Sequence, residues 1–340
     1  MGDDVHKTTP HDKINMRKMR LTRLCKEFVF GDARPFASCH ASTLVQMGNG
    51  TVLAAWFGGT RESACDVGIW GAIRSPWGIW GSPMLWARVR DAAHWNPVLF
   101  HAPNGEVHLY FKVGATTREW ETWTQVSRDA GATWDKAREL VPGDRGGRGP
   151  VKNKPIILSD GSWLAPASVE THSDWDAFVD RSDDGGRTWT ASKLVERDRS
   201  VITGMGIIQP SLWESKAGSV HMLLRNTCGA ICVSDSSDGG RTWTPARRTA
   251  LPNNNSGLDL ARGPDGMLLL AYNPVSDPKL RTPLSLTAST DNGATWERVT
   301  DLETEPGEYS YPAVIATSMG FAGTYTWKRE RIVFWSAPYP

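Results

Sequence analysis

The sequence predicts an all-β fold, a six-bladed β-propeller, on three observations. A pattern S-x-D-x-G-x-T-W occurs four times, at residues 127–134, 182–189, 236–243 and 289–296. Its tryptophans, Trp134, Trp189, Trp243 and Trp296, stand 55, 54 and 53 residues apart, which is the length of one four-stranded blade. Dividing 340 residues by that period leaves room for about six such units.

Each element follows from local chemistry. The first 25 residues read as a polar arm, and residues 26–340 as one propeller domain whose ends close the ring. Every copy of the pattern follows a strand-like run, at 122–126, 177–180, 230–233 and 285–288. Asp and Gly then form a hairpin turn, Gly supplying φ > 0 and Asp accepting from nearby backbone N–H groups. Thr and Trp lead into the next strand, where the indole covers the hairpin edge. A degraded fifth copy is expected at 75–80, since Trp80 precedes Trp134 by 54 residues. Segments such as LSDGSWLAPAS and GPDGMLLLAY supply further strands around Gly turns, and no long amphipathic helical pattern competes. Asp129, Asp184, Asp238 and Asp291 are turn formers that recur in every copy, whereas an active site needs unlike residues converging once.

Composition narrows the function. Lys plus Arg number 38 against 37 Asp plus Glu, a net charge of +1, which argues against a nucleic-acid partner. The longest apolar stretches, such as 267–272, are too short to span a bilayer, and the start has no apolar core after its charges. A cytoplasmic chain without membrane association is expected, monomeric or weakly homo-oligomeric. Five cysteines without a CxxC read as reduced thiols. Seventeen Trp beside 33 Gly and 21 Pro suit short strands and tight turns. No His/Asp/Cys ligand cluster is evident, so neither a metal nor a cofactor is expected.

The S-x-D-x-G-x-T-W repeat resembles the Asp-box, or BNR repeat, of the sialidase superfamily. The segments SCHASTLVQ, AAWFGGTRE, WNPVLF, GPVKNKPI, IQPSL, NNNSG, RTPLSL, EYSYPAV and TYTWKRERI resemble its BNR-repeat sialidase-like branch. The resemblance implies a six-bladed propeller and cleavage of a terminal acidic sugar. Three Arg would hold the carboxylate, an Asp would act as general acid/base, and a Tyr assisted by a Glu would be the nucleophile. Carried over residue by residue, it puts Arg61, Arg225 and Arg281 in the clamp and Asp66 in the acid role, which requires a pKa raised by partial burial. A guanidinium fork grips a carboxylate bidentately, as Lys does not. The nucleophile falls on Tyr311, with Tyr309 as the competing choice. A phenol titrates at about 10 and needs a base to attack a sugar.

The chain departs from that pattern twice. His40 stands where the first Arg is expected, and Gln209 where the Glu that assists the Tyr is expected. Another carboxylate would then have to serve, Glu170 or Glu308, or His40 as acid or base; an inverting route around a water is also open. Asn96, Lys112, Lys152, Lys154 and Asn254, polar residues at apolar strand ends, are expected to line the same cup. The charged run 328–331 reads as a solvated loop. The leading reading is a sialidase-like exo-glycosidase for an anionic glycan or small molecule. One alternative is a recruited cofactor-free enzyme that cyclises or rearranges a small molecule in the pocket; the other is a non-catalytic sugar-binding propeller.

Overall fold

The computed structural model describes residues 23–339. Strand β1 (Cys25–Phe28) comes first. It is followed by β2 (Ser38–Gln46), β3 (Val52–Gly59), β4 (Gly68–Arg74) and β5 (Met84–Ala87) of blade 1. Blade 2 holds β6 (His94–His101), β7 (Val107–Val113), β8 (Glu121–Ser127) and β9 (Arg138–Glu139). Blade 3 holds β10 (Ile156–Ile157), β11 (Trp163–Glu170), β12 (Trp175–Ser182) and β13 (Thr190–Ala191). Blade 4 holds β14 (Ile207–Lys216), β15 (Ser219–Asn226), β16 (Ala230–Ser236) and β17 (Arg247–Pro252). Blade 5 holds β18 (Asp259–Arg262), β19 (Leu268–Tyr272), β20 (Leu284–Ser289) and β21 (Glu297–Glu303). Blade 6 holds β22 (Tyr309–Ala316), β23 (Gly320–Trp327) and β24 (Arg331–Pro338).

The six sheets each have four strands, and blade 6 is completed by β1, which pairs antiparallel with β24 from Cys25 opposite Ser336 to Phe28 opposite Val333. The two chain ends therefore close the ring, as expected. This strand begins at Cys25, inside the stretch expected to be a polar arm; the rest of that arm, 1–22, lies outside the described residues.

The repeat sits at the turn between the third and fourth strands. In blade 3, Asp184 accepts from Thr188 N at 2.9 Å and from its hydroxyl at 2.6 Å, while Gly186 N donates to Ser182 Oγ at 2.8 Å. The same bonds recur around Asp129, Asp238 and Asp291. The segment 75–80 occupies the equivalent turn of blade 1. The turn glycine also sets blade spacing. Gly240 has φ +81, and a Cβ there would stand 2.6 Å from Leu164 of blade 3, so a side chain meets both backbone strain and a clash.

Apolar side chains fill the spaces between neighbouring sheets, for example Leu44, Val52, Ala54 and Trp56 of blade 1 against Ala322, Ile332 and Phe334 of blade 6. Near the axis, side chains tie one blade to the next. Thr43 Oγ1 accepts from Leu99 N at 3.1 Å, Ser211 Oγ from Leu260 N at 3.0 Å, and Asp259 Oδ2 from Val314 N at 2.8 Å.

Candidate active site at the propeller mouth

The innermost strands enter the ring at one mouth, and four of them carry the same irregularity there. Register breaks interrupt β2 after His40, β6 after Trp95, β14 after Ile208 and β22 after Ser310. Within these breaks Ala41, Asn96, Gln209 and Tyr311 have φ of 54, 41, 52 and 51°. A bulge of this kind re-aims side chains at the cost of strain, and such positions cluster at functional sites.

Tyr311 is the centre of the cluster. Arg225 Nη1 donates to its hydroxyl at 2.7 Å, and Gln209 Nε2 approaches the same oxygen at 3.5 Å. The His40 ring lies 4.2 Å from the Tyr311 ring, centroid to centroid. Arg225 is fixed on every side: Nε donates to Asn255 Oδ1 at 2.8 Å, Nη1 also to Gln209 Oε1 at 3.1 Å, and the guanidinium stands 5.6 Å from the Trp175 ring. Arg281 donates to the carbonyls of Asn254 at 3.0 Å and Asn255 at 3.4 Å. Burial holds its pKa below the usual arginine value, and the nearby charge of Arg225 lowers it further.

A third guanidinium reaches the mouth from the β23–β24 turn. Arg329 donates to Glu308 at 2.8 Å and pairs with Glu62. The run read as a solvated loop therefore sends one residue inward. Alternation along the sequence carries no signal for this, because the turn residues Lys328 and Arg329 both have positive φ. Asn255, Glu62 and Trp175 are further contributors that sequence reasoning did not single out; the polar run NNNSG was the only hint, and it pointed to Asn254. Asn254 serves indirectly, its carbonyl accepting from Arg281.

The charges define the site's chemistry. His40 is fully enclosed, and burial followed by the charges of Arg329, Arg281, Arg225 and Lys152 pushes its pKa well below 6.5; its Nδ1 meets Thr326 Oγ1 at 3.0 Å. It is neutral at physiological pH, so it does not replace the charge of an arginine. Burial raises the pKa of Glu170, and Arg225 offsets part of that rise. Glu308 is turned to Arg329. Among the described residues no carboxylate is hydrogen-bonded to Tyr311 Oη.

Several expected residues have other surroundings or partners than expected. Asp66 is exposed on the β3–β4 loop, where the Thr60 hydroxyl and N–H bond its Oδ2. Those bonds lower its pKa, the reverse of the shift expected of a proton donor. Arg61 is exposed on the same loop, next to Glu62, which pairs with Arg329 at the mouth. Tyr309 is buried in the core between blades 5 and 6, its ring 6.4 Å from that of Trp327. Lys112 is fully buried and donates to Thr122 Oγ1 at 2.7 Å, Gly147 O at 3.3 Å and Arg148 O at 2.7 Å. With its three donors engaged it anchors a loop and does not line the cup. Lys154 ion-pairs with Asp259 at 2.9 Å in the axial channel. Lys152 lies behind Tyr311, bonded to Asn153 Oδ1 at 2.9 Å, Leu258 O at 3.0 Å and Pro312 O. Burial brings its pKa down to about 7.

The bulges that gather the Tyr311 cluster lie near the starts of the innermost strands. A cavity of about 1070 Å³ lies at their other ends, lined by Met47, His101, Ile157, Glu214, Arg262 and Met319. The Tyr311 cluster and this cavity are at opposite mouths of the ring. Among the described residues no helix is long and apolar enough to cross a membrane, and no group of three His, Cys, Asp or Glu could hold a metal ion.

Six four-stranded blades, four of them bearing Asp-box turns, define a sialidase-type β-propeller. The chain belongs to the BNR repeat-like domain family, whose model matches residues 50–323. Among solved structures it is similar to the Hadza microbial sialidase Hz136, with TM-score 0.77, 17% identity, and coverage of 92% of this chain and 68% of that one. A protein of unknown function from Dyadobacter fermentans gives TM-score 0.77 and 16% identity, with 96% of this chain and 100% of that one covered. The NanB sialidase from Streptococcus pneumoniae gives TM-score 0.72 and 13% identity, with 92% and 70% covered. None of the curated protein sequences matches the chain at a significant level.

Proposed function

We propose that the protein is an exo-acting glycoside hydrolase for a terminal sugar bearing a carboxylate, bound at the mouth around Tyr311. The observation that carries this reading is the pair of arginines, Arg225 and Arg281, held by neighbouring asparagines beside the Tyr311 hydroxyl. Their positions are fixed before any substrate arrives, which favours an anion at low reorganisation cost. The NanB sialidase structure was solved with 2-[(3-chlorobenzyl)ammonio]ethanesulfonate, a zwitterion whose sulfonate end is anionic, and a carboxylate here would present a charge of the same sign.

Arg225 and Arg281 bind the carboxylate in this reading, and Arg329, released from Glu62, completes the clamp. Glu170 is the proton donor to the leaving oxygen, because burial keeps it protonated to higher pH than an exposed carboxyl. Asp66, ionised and exposed, enters only if the β3–β4 loop closes over the sugar. Tyr311 has no neighbouring base to take its proton, so it stabilises positive charge at the anomeric carbon while a water attacks. The test is release of free acidic sugar from a panel of sialosides, uronosides and Kdo-type glycosides. Release that is abolished in Arg225→Ala supports the reading, and failure to cleave any of the three classes overturns it.

One observation favours a second reading. Gln209 offers the Tyr311 hydroxyl an amide and no base. This suits a cofactor-free enzyme that cyclises or rearranges a small molecule in the same cup. Tight binding of an apolar ligand with conversion but without sugar release would select it. Sugar binding without turnover, unchanged in Asp66→Asn, would select a binding module.

A further inference from the structure

On the opposite face of blade 4, far along β14 from the mouth, three side chains from three adjacent strands are hydrogen-bonded in series. Ser215 Oγ lies 2.8 Å from His221 Nε2, and His221 Nδ1 lies 2.6 Å from Asp235 Oδ1. They come from β14, β15 and β16, and the pairing places His221 opposite Asp235. Ser215 lies at a register break between Glu214 and Lys216. We propose that Ser215, His221 and Asp235 form a second, esterase-type hydrolytic site.

The arrangement has the parts such a site requires. The Asp235 carboxylate fixes the tautomer, because an acceptor at Nδ1 leaves Nε2 unprotonated and able to take the Ser215 proton. Asp235 is itself held by Arg247 Nη1 at 2.7 Å on its other oxygen, and the His221 bond lowers its pKa. The imidazole cannot swing away, since the Trp213 ring stacks on it at 4.9 Å and 23°. An amide donor stands beside the relay. Asn292, from the Asp-box turn of blade 5, accepts from Trp213 Nε1 at 2.8 Å through Oδ1. That bond turns its Nδ2 to His221 Nε2 at 3.3 Å; once Nε2 has taken the Ser215 proton it no longer accepts, and Nδ2 can donate to the oxyanion on the substrate carbonyl bound to Ser215. Ser215 is half-buried and Asn292 exposed, so the nucleophile is reachable. Trp213, Glu214 and Arg262 border the cavity of about 1070 Å³ at this end of the ring, a space beside the site for an acyl group.

The substrate class is a small carboxylic ester. Ser215 Oγ attacks the carbonyl while its proton passes to His221 Nε2. The C–O bond to the alcohol breaks and the alcohol leaves with that proton. Water, deprotonated by His221, then cleaves the acyl-serine, returning Ser215 and a carboxylic acid. Neither an oxidant nor a metal enters the balance.

The experiment is treatment of the full chain with a fluorophosphonate probe, followed by peptide mapping, alongside turnover of p-nitrophenyl acetate. Attack on the probe forms an Oγ–P bond and releases fluoride with the proton. An adduct on the peptide carrying Ser215 is expected, absent in Ser215→Ala and formed about 100-fold more slowly or less in His221→Gln. Both substitutions lie on partly exposed positions, and their thermal unfolding is compared with the parent chain. No adduct on Ser215, or an adduct that forms equally fast in His221→Gln, overturns the proposal. Neither result bears on acidic-sugar release at the Tyr311 mouth, so the two readings fail separately.

Discussion

Arg225 and Tyr311, 86 residues apart in sequence and two blades apart in the ring, meet in a 2.7 Å hydrogen bond from guanidinium to phenol. The same guanidinium holds Asn255 and Gln209. One residue thereby joins blades 4, 5 and 6 at the mouth.

Arg225→Lys is therefore a severe change. A single ammonium on a flexible stem cannot make those three contacts and still offer a further donor, as Arg225 Nη2 does, to a carboxylate. Acidic-sugar release, measured as kcat/KM, is expected to fall roughly 10²–10³-fold, the usual loss when an oriented charge-stabilising donor is removed. A variant within twofold of the parent would remove Arg225 from the clamp.

Glu170 and Asp66 make opposite predictions. Glu170→Gln removes the proposed proton donor and is expected to abolish release from substrates with poor leaving groups while sparing aryl glycosides, which leave unaided. Asp66→Asn is expected to be the milder change. Stability gives an independent check. Burial raises the Glu170 pKa above its unfolded value, so the folded state holds the proton more tightly. Its contribution is complete below the unfolded pKa of about 4.3 and declines as pH rises through the folded value. Glu170→Gln should thus gain stability relative to the parent as pH rises from about 4.3 in denaturant titrations. A gap that is constant with pH would contradict the shift.

His40 carries the reverse sign. Burial and four positive neighbours depress its pKa, so below about pH 6.5 the unfolded chain takes up a proton that the folded chain refuses. Stability is expected to fall on acidification from that pH, with a limiting slope of about 1.4 kcal/mol per pH unit from this one group. His40→Gln should flatten the slope between pH 6.5 and pH 5. An unchanged slope would mean that His40 is protonated in the folded protein.

The axial pair is the test of the scaffold. Asp259 accepts from Lys154, Ser211 Oγ and Val314 N, linking blade 5 to blades 3, 4 and 6. Asp259→Ala leaves Lys154 without its counter-ion and should destabilise the fold by roughly 3–5 kcal/mol. Replacing both residues, Lys154→Met with Asp259→Leu, should recover much of that loss. If the double variant is no better than Asp259→Ala, the pair's role is in the hydrogen bonds to Ser211 and Val314 and not in the charge.

How much of the site was legible varies residue by residue. The placement of Arg225, Arg281, Gln209, His40 and Tyr311 at one mouth is what the sequence reading expected of them. That reading also placed Lys112 and Lys154 in the cup, and each is engaged elsewhere by carbonyls or a carboxylate. Their residue types at apolar strand ends gave no way to distinguish a lysine aimed at substrate from one that holds loops together. Arg329 was missed for the opposite reason. Its neighbours in sequence are charged, so the run looked solvated, yet a turn with two positive φ values aims this one side chain inward.

The sequence by itself determined the blade count, the strand-turn-strand unit and the Asp-box turns, because each rests on contacts within a few residues that recur at a fixed period. The tertiary structure decided which side chains share the mouth and in which direction burial shifts the Glu170 carboxyl. It also decided that Ser215, His221 and Asp235 fall in line across three strands. Those outcomes depend on bulges, ring closure and burial, which bring together groups far apart in the chain and set their charges by an environment that no local pattern encodes.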